Sequence, residues 1–159
     1  MEIKSLSKIE FGTIFKAFNQ AFADYEVQIN ELQLKIMLKR RGFNPDLSFA
    51  AFDGHEIVAF TLNGTGNFNG IPTAYDTGTG TLKGYRGKGL ALLLCEAVRI
   101  NKNDTIKAVN TEIRCDSITG FLEAKNIQKQ LLRNINCRIQ FVYWKMMNVA
   151  VLYQALVTL

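Results

Sequence analysis

The sequence predicts an α/β domain of the α+β type, and three observations carry that reading. Residues 47–52 and 57–62 are apolar runs flanking the dipeptide Asp53-Gly54, the pattern of an antiparallel hairpin. Phe11, Ile14, Phe15, Phe18 and Phe22 recur at helical spacing and give one apolar face to lay on a sheet. Residues 71–81 read as a strand that enters a basic, glycine-bearing loop and then a compact apolar helix over residues 90–100.

Taken in chain order, residues 1–6 alternate weakly and form a short first strand. Ser7 and Glu10 have the spacing of a capping box, so the phenylalanine-striped helix should begin just after Ser7. Core packing explains that stripe better than a ligand-binding box does. A second helix is expected from a cap at Asn30, through Leu32, Ile36 and Met37, to a terminating glycine at Gly42. Residues 63–70 are rich in Gly and Asn and read as a loop. The strand 71–81 is threonine-rich and carries Gly78 and Gly80. Glycines inside a strand mark a bulge or a place where a ligand comes close to the backbone.

Beyond Asn101 the pattern loses definition. Residues 106–113 suit a strand, residues 121–136 an amphipathic helix, and residues 139–159 buried strands or a buried helix. A membrane span takes about 20 predominantly apolar residues. The last segment has the length, but Gln140, Lys145, Asn148 and Gln154 interrupt it, so no membrane segment is expected.

Length and composition fit one domain over residues 1–159, well patterned over 1–101 and atypical over 102–159. Hydrophobic residues at 48% and charged residues at 21% place the chain among ordinary globular proteins. No basic leader precedes an apolar run, and the three cysteines, Cys95, Cys115 and Cys137, contain no C-x-x-C pair. A reducing cytoplasm is therefore expected, with neither a disulfide framework nor a zinc site. His55, the one histidine, falls in the Asp53-Gly54 turn and should be exposed. Cys95 lies inside the helix 90–100 and reads as a small core residue rather than a nucleophile.

The formal charge of +5 is unevenly spread: 11 Lys and Arg against 10 Asp and Glu over residues 1–100, then 8 against 4 over residues 101–159. No basic stretch is interleaved with aromatics, and Lys39, Arg40 and Arg41 fall at the end of the second helix, where they suit the helix dipole. Nucleic-acid binding is not expected.

The loop at residues 85–91, Tyr-Arg-Gly-Lys-Gly-Leu-Ala, concentrates the chemistry. Gly87 and Gly89 let the chain turn tightly and approach a ligand. N–H groups at the positive end of the following helix then form a ready phosphate site, to which Arg86 and Lys88 add charge. For a bare G-x-G, a tight strand–helix connection with solvated basic residues would be the better reading.

The wider pattern is more specific. Arg86-x-x-Gly89-x-Ala91 matches the Gln/Arg-x-x-Gly-x-Gly/Ala signature of the GNAT superfamily of N-acetyltransferases, and the order of elements over residues 1–101 resembles theirs. The resemblance implies a mixed, mainly antiparallel sheet flanked by helices that splays apart after its fourth strand. It implies acetyl-CoA as co-substrate, with no metal. The pantetheine arm would lie along Thr79, Gly80 and Thr81, and the pyrophosphate on N–H groups from Gly87 through Lys88, Gly89 and Leu90 to Ala91. Arg86 would support the loop or a phosphate.

The resemblance further implies direct attack of a neutral amine on the thioester, which needs a proton acceptor and a donor to the thioester oxygen. A backbone N–H near Thr81 suits the second task. Members that use a carboxylate base carry it about eleven positions before the signature. That position is Tyr75, and a bulge at Gly78 would shift the register to Asp76, the candidate base; a solvated or hydrogen-bonded strand carboxylate is the plainer alternative. The acceptor site would be lined by the segment joining the first two helices, including Tyr25, Glu26 and Val27, and by C-terminal elements.

After the signature helix the resemblance thins. Family members show a further strand, then a helix whose tyrosine protonates the departing thiolate. Here residues 103–109 echo the start of that helix, in which case its preceding strand is missing; or residues 106–113 are the strand, and the helix has lost its signature. Tyr143 and Tyr153 lie downstream and carry no assigned role. The change in character points to a diverged, truncated or frame-shifted gene end, and to a sheet with an open edge. Three readings follow: an acetyl-CoA-dependent N-acetyltransferase acting on a primary amine of a small molecule or peptide; an acyl-CoA-binding module without turnover; and a structural domain that dimerises through its apolar C-terminal segment.

Overall fold

A computed structural model describes residues 1–26, 28–101, 106, 108–115 and 137–143, the last two stretches through their backbone. Among the described residues the α-helices and strands follow in the order β1 (Glu2–Ser5), α1 (Phe11–Ala21), α2 (Glu31–Arg40), β2 (Phe49–Asp53), β3 (Glu56–Phe68), β4 (Ile71–Thr81), α3 (Leu90–Asn101), β5 (Ala108–Cys115) and β6 (Cys137–Tyr143). The six strands form one sheet in sequence order. β1 to β4 pair antiparallel, β5 runs parallel to β4, and β6 runs parallel to β5. The sheet is thus mixed, mainly antiparallel and flanked by helices, as expected. β5 settles the choice left open after Asn101: the strand is there, and it covers β4 at Thr73–Tyr75. The helix expected over residues 121–136 lies outside the described residues, as do residues 144–159.

The sheet has a core on each face. On one, Ile14, Ala17 and Ala21 of α1 and Leu34 and Leu38 of α2 pack against Phe52, Phe60 and Leu62. Phe11, Phe15, Phe18 and Phe22 lie partly buried around them, so the stripe is core. On the other face, Leu90, Leu94, Cys95 and Val98 of α3 cover Ala51, Val58, Ala59 and Ala74. Each fully buried large side chain contributes roughly 1.5–3 kcal/mol, which makes these two seams the main source of stability.

Three local expectations need correction. The Ser7–Glu10 capping box does not form. Leu6 is buried and its N–H donates to the Ser48 carbonyl, which draws residues 6–8 into a 3-10 turn capped by Ser5; α1 starts at Phe11, and Glu10 makes no side-chain cap bond. In α2 the Asn30 cap holds, as a reciprocal box with Gln33, and Gly42 follows in the left-handed conformation. The buried row, however, is Leu34–Leu38, while Leu32 and Ile36 face solvent. Two apolar rows spaced by four residues compete in this helix, and the sheet takes only one.

The third correction concerns residues 63–70. They are not a loop: β3 runs on to Phe68 and turns through Asn69 (φ 50°) and Gly70 (φ 81°) into β4. Left-handed conformation at both central residues is the mark of the tight hairpin turn that Asn-Gly favours. The glycines within the strand have a separate cause. A Cβ at Gly64 would lie 2.1 Å from the Arg41 carbonyl oxygen, because the chain leaving α2 crosses directly over it.

That crossing predicts a contrast between glycines. Gly64→Ala should destabilise the fold by about 2–4 kcal/mol, since backbone must move to admit the methyl group. Gly12→Ala in α1, where a Cβ meets nothing within 4 Å, should be neutral or stabilise by up to ~1 kcal/mol. Urea unfolding of the two variants measures both.

Candidate active site

β4 and β5 pair only at Thr73–Ala108, Ala74–Val109 and Tyr75–Asn110. Both strands continue, β4 to Thr81 and β5 to Cys115, but they pair no further. The sheet therefore splits after its fourth strand, as the family resemblance implied. The parting begins beside a bulge. Leu62 of β3 faces Gly78, and Asn63 faces Asp76, so Thr77 is an extra residue in β4. A bulge of this kind bends its strand and disrupts the ladder locally. It falls one residue before the expected Gly78.

Side chains hold the bulge on all sides. The Thr77 hydroxyl donates to the Leu62 carbonyl at 2.7 Å, and the Arg41 guanidinium donates to the Thr77 carbonyl at 3.1 Å. Asp76 Oδ1 accepts from the Gly78 N–H at 2.8 Å, while Asp76 Oδ2 lies 3.0 Å from the Thr79 hydroxyl. Thr79 in turn meets the Thr61 hydroxyl at 3.0 Å. Asp76 thus stands at the mouth of the split with both oxygens engaged, which makes it a latch of the bulge. Gly80 has a different cause from the one expected: a Cβ there would lie 2.6 Å from the Phe60 ring and 2.9 Å from Ala21. Its missing side chain admits α1. Thr79 and Thr81 are half-buried.

The loop after β4 ends at the start of α3. Gly87 and Gly89 both have left-handed backbone, φ 75° and 72°, in open space, so the requirement for glycine is conformational rather than steric. Leu92 and Leu93 donate to the Gly89 carbonyl, which opens the helix. The N–H groups of residues 87–91 make no hydrogen bond among the described residues. They are the unsatisfied donors of a helix start, with Lys88 and Lys83 exposed nearby. The Arg86 side chain turns back to the fold: Nε donates to the Thr81 carbonyl at 3.2 Å and Nη2 to the Ala21 carbonyl at 3.0 Å. These bonds tie the loop to the ends of β4 and α1.

Three contacts at the site were missed from sequence: the Arg41–Thr77 bond, a bond from the Tyr75 hydroxyl to the Arg41 carbonyl at 2.7 Å, and one from the Tyr85 hydroxyl to Asp53 Oδ2 at 2.8 Å. The last fastens the loop to the β2–β3 turn, and Lys88 Nζ sits 4.7 Å above the Tyr85 ring. No sequence spacing signals contacts between residues 32 apart. Tyr25 is exposed and edges onto Phe22, Glu26 is exposed, and Val27 lies outside the described residues. His55 is exposed in the β2–β3 turn.

The sequence matches no protein-family model and no curated protein. Solved structures do match the fold. An aminoglycoside acetyltransferase from an uncultured soil metagenomic sample superposes with a TM-score of 0.59 at 14% identity, over 98% of this chain and 95% of its own. AAC(6')-Iy, held with the bisubstrate analogue CoA-S-monomethyl-acetylneamine, gives 0.54 at 18% identity, over 92% of this chain and 98% of its own. The aminoglycoside 6'-N-acetyltransferase of Acinetobacter haemolyticus gives 0.51 at 15%, over 99% and 100%. The chain has the fold of the GNAT N-acetyltransferases.

Asp53 raises the Tyr85 pKa above its ordinary 10.0, first through the hydrogen bond it accepts. The neutral phenol is the favoured form in the fold. The contact is therefore complete below the unfolded value and is lost as pH rises through the folded one. Asp53→Asn should lower the pH at which Tyr85 ionises, read from tyrosinate absorbance against a Tyr85→Phe reference. An unchanged titration would mean that the contact does not persist in solution.

Proposed function

We propose that this chain is an acetyl-CoA-dependent N-acetyltransferase acting on a primary amine of a small molecule or peptide. The observation that carries the reading is one combination: a sheet split at a bulge, facing a loop whose five consecutive N–H groups, residues 87–91, are unbonded beside Lys88. Polyanion binding by helix-start N–H groups needs no further device. The edge of β4 over residues 78–81, which β5 does not pair among the described residues, offers backbone groups to an amide-bearing arm.

In this reading residues 87–91 hold the pyrophosphate, Thr79, Gly80 and Thr81 line the pantetheine arm, and Arg86 keeps the loop in register with both. Bound acetyl-CoA supplies an activated acyl group. Asp76 accepts the proton of the attacking amine, directly or through water. Its two oxygens also accept from the Gly78 N–H and the Thr79 hydroxyl. A backbone N–H near Thr81 meets the charge that develops on the thioester oxygen. Tyr25 and Glu26 stand on the segment proposed to line the acceptor. The solved acetyltransferases with aminoglycoside ligands support an amine acceptor as a class.

Acetyl-CoA at about 100 times its Kd should raise the unfolding free energy by about 2.7 kcal/mol, seen as a concentration-dependent rise in Tm. Gly89→Val places a branched residue where φ is 72° and should abolish that rise. A shift that survives the substitution would remove the loop from the site. Asp76→Asn keeps an oxygen for the Gly78 N–H but cannot take a proton, so it should lower kcat by about 100-fold or more while the acetyl-CoA shift remains. Normal turnover in this variant would reduce Asp76 to its latch. An acetyl-CoA shift without release of free CoA across a panel of amines would favour the binding module.

A further inference from the structure

The end of α2 is tied to β4 across the strand between them. Arg41 reaches over β3 to give an N–H to the Thr77 carbonyl, and the Tyr75 hydroxyl reaches back to the Arg41 carbonyl. The two bonds form a reciprocal brace, 3.1 Å and 2.7 Å long. β3 passes beneath with glycines at the crossing: a Cβ at Gly64 would lie 2.9 Å from the Tyr75 ring as well as against Arg41, and one at Gly66 would lie 3.3 Å from the same ring. Glycine in a strand often marks such a close approach by another backbone.

The brace is more than an anchor for α2. That helix end is already fixed by Leu34 and Leu38 in the core. It is fixed again by backbone bonds from Asn44 N–H to the Asn63 carbonyl and from Thr65 N–H to the Gly42 carbonyl. The guanidinium goes instead to the carbonyl of Thr77, the one residue of β4 left out of the β3 register. A bulge leaves backbone groups that the ladder no longer pairs, and a charged donor is a strong partner for one of them.

We infer that Arg41, with Tyr75, is a positioning residue: the brace sets the geometry of the bulge and, through it, the β4 edge at residues 78–81 against which the acyl group is presented. The inference rests on the acyltransfer reading for its catalytic meaning, and on the bulge alone for its structural one.

The test uses the full chain with Arg41→Met, Arg41→Lys and Tyr75→Phe, read by backbone amide exchange and by steady-state kinetics. In Arg41→Met, exchange at residues 78–81 should quicken about 10-fold or more while the interior of α3 is unchanged. Acetyl transfer should fall about 10- to 100-fold in kcat, the scale of a small misplacement at the reacting centre. KM for acetyl-CoA should change less than kcat does, because the pyrophosphate loop is untouched. Arg41→Lys should recover part of the rate, and Tyr75→Phe should show a milder form of both effects. Unchanged exchange at residues 78–81 would overturn the brace. Faster exchange there with an unaltered kcat would overturn the positioning role, as would equal acceleration through α3, which signals general loosening. A wild-type chain that neither binds acetyl-CoA nor turns over would sink the acyltransfer reading instead, and the exchange result would still decide the brace.

Discussion

At Thr77 one extra residue enters β4, and the strand leaves its parallel partner beyond Tyr75 and Asn110. Most of what is unusual about this molecule gathers around that point. Arg41, Asp76, Thr79 and the Thr77 hydroxyl all spend hydrogen bonds on it. Beyond that point β4 and β5 do not pair among the described residues. The edge left there is the one that the proposed pantetheine arm would pair with. Unpaired strand edges are otherwise a liability, which gives a physical reason for so many contacts to hold this one in a single shape.

The polar interior follows from the same constraint. Asn63 and Ser48 are buried beside the bulge, yet each finds partners: the Asn63 amide donates to the Leu47 carbonyl, and its backbone N–H donates to Ser48 Oγ. Among the described residues no buried side-chain nitrogen or oxygen lacks a hydrogen bond. A buried polar group costs several kcal/mol when unpaired, so a satisfied network fixes one register where apolar packing alone would tolerate several. The loop at residues 85–91 then inherits its position from this frame. Arg86 ties it to the ends of β4 and α1, and Tyr85 ties it to the β2–β3 turn.

What the sequence made legible were the features written in short spacings. The Asp53-Gly54 hairpin, the phenylalanine stripe of α1, the Asn30 cap and the glycine loop before α3 all depend on residues within a few positions of one another. The Asn69-Gly70 turn was equally local, but the glycines at 64 and 66 disguised the strand leading to it. Those glycines look like loop residues until Arg41 and Tyr75 are seen to pass over them, a contact between segments 34 residues apart. The choice between the two apolar rows of α2 was hidden for a similar reason, since only the sheet decides which row is covered. Counting back from the loop, as the family resemblance implies, leads to Tyr75, and only a bulge shifts the position to Asp76. Its engagement as a latch depends on where the bulge falls, which no periodicity reveals.

The central claim is that the split beside β4 and the loop before α3 together form one acetyl-CoA site. Titrating acetyl-CoA into isotope-labelled protein and following the backbone amide resonances tests it directly. The resonances of residues 78–81 and 87–91 should move together with one affinity, while those of β1 and the first turn of α2 stay still. Binding that moves only one of the two groups, or shifts centred elsewhere, would contradict it.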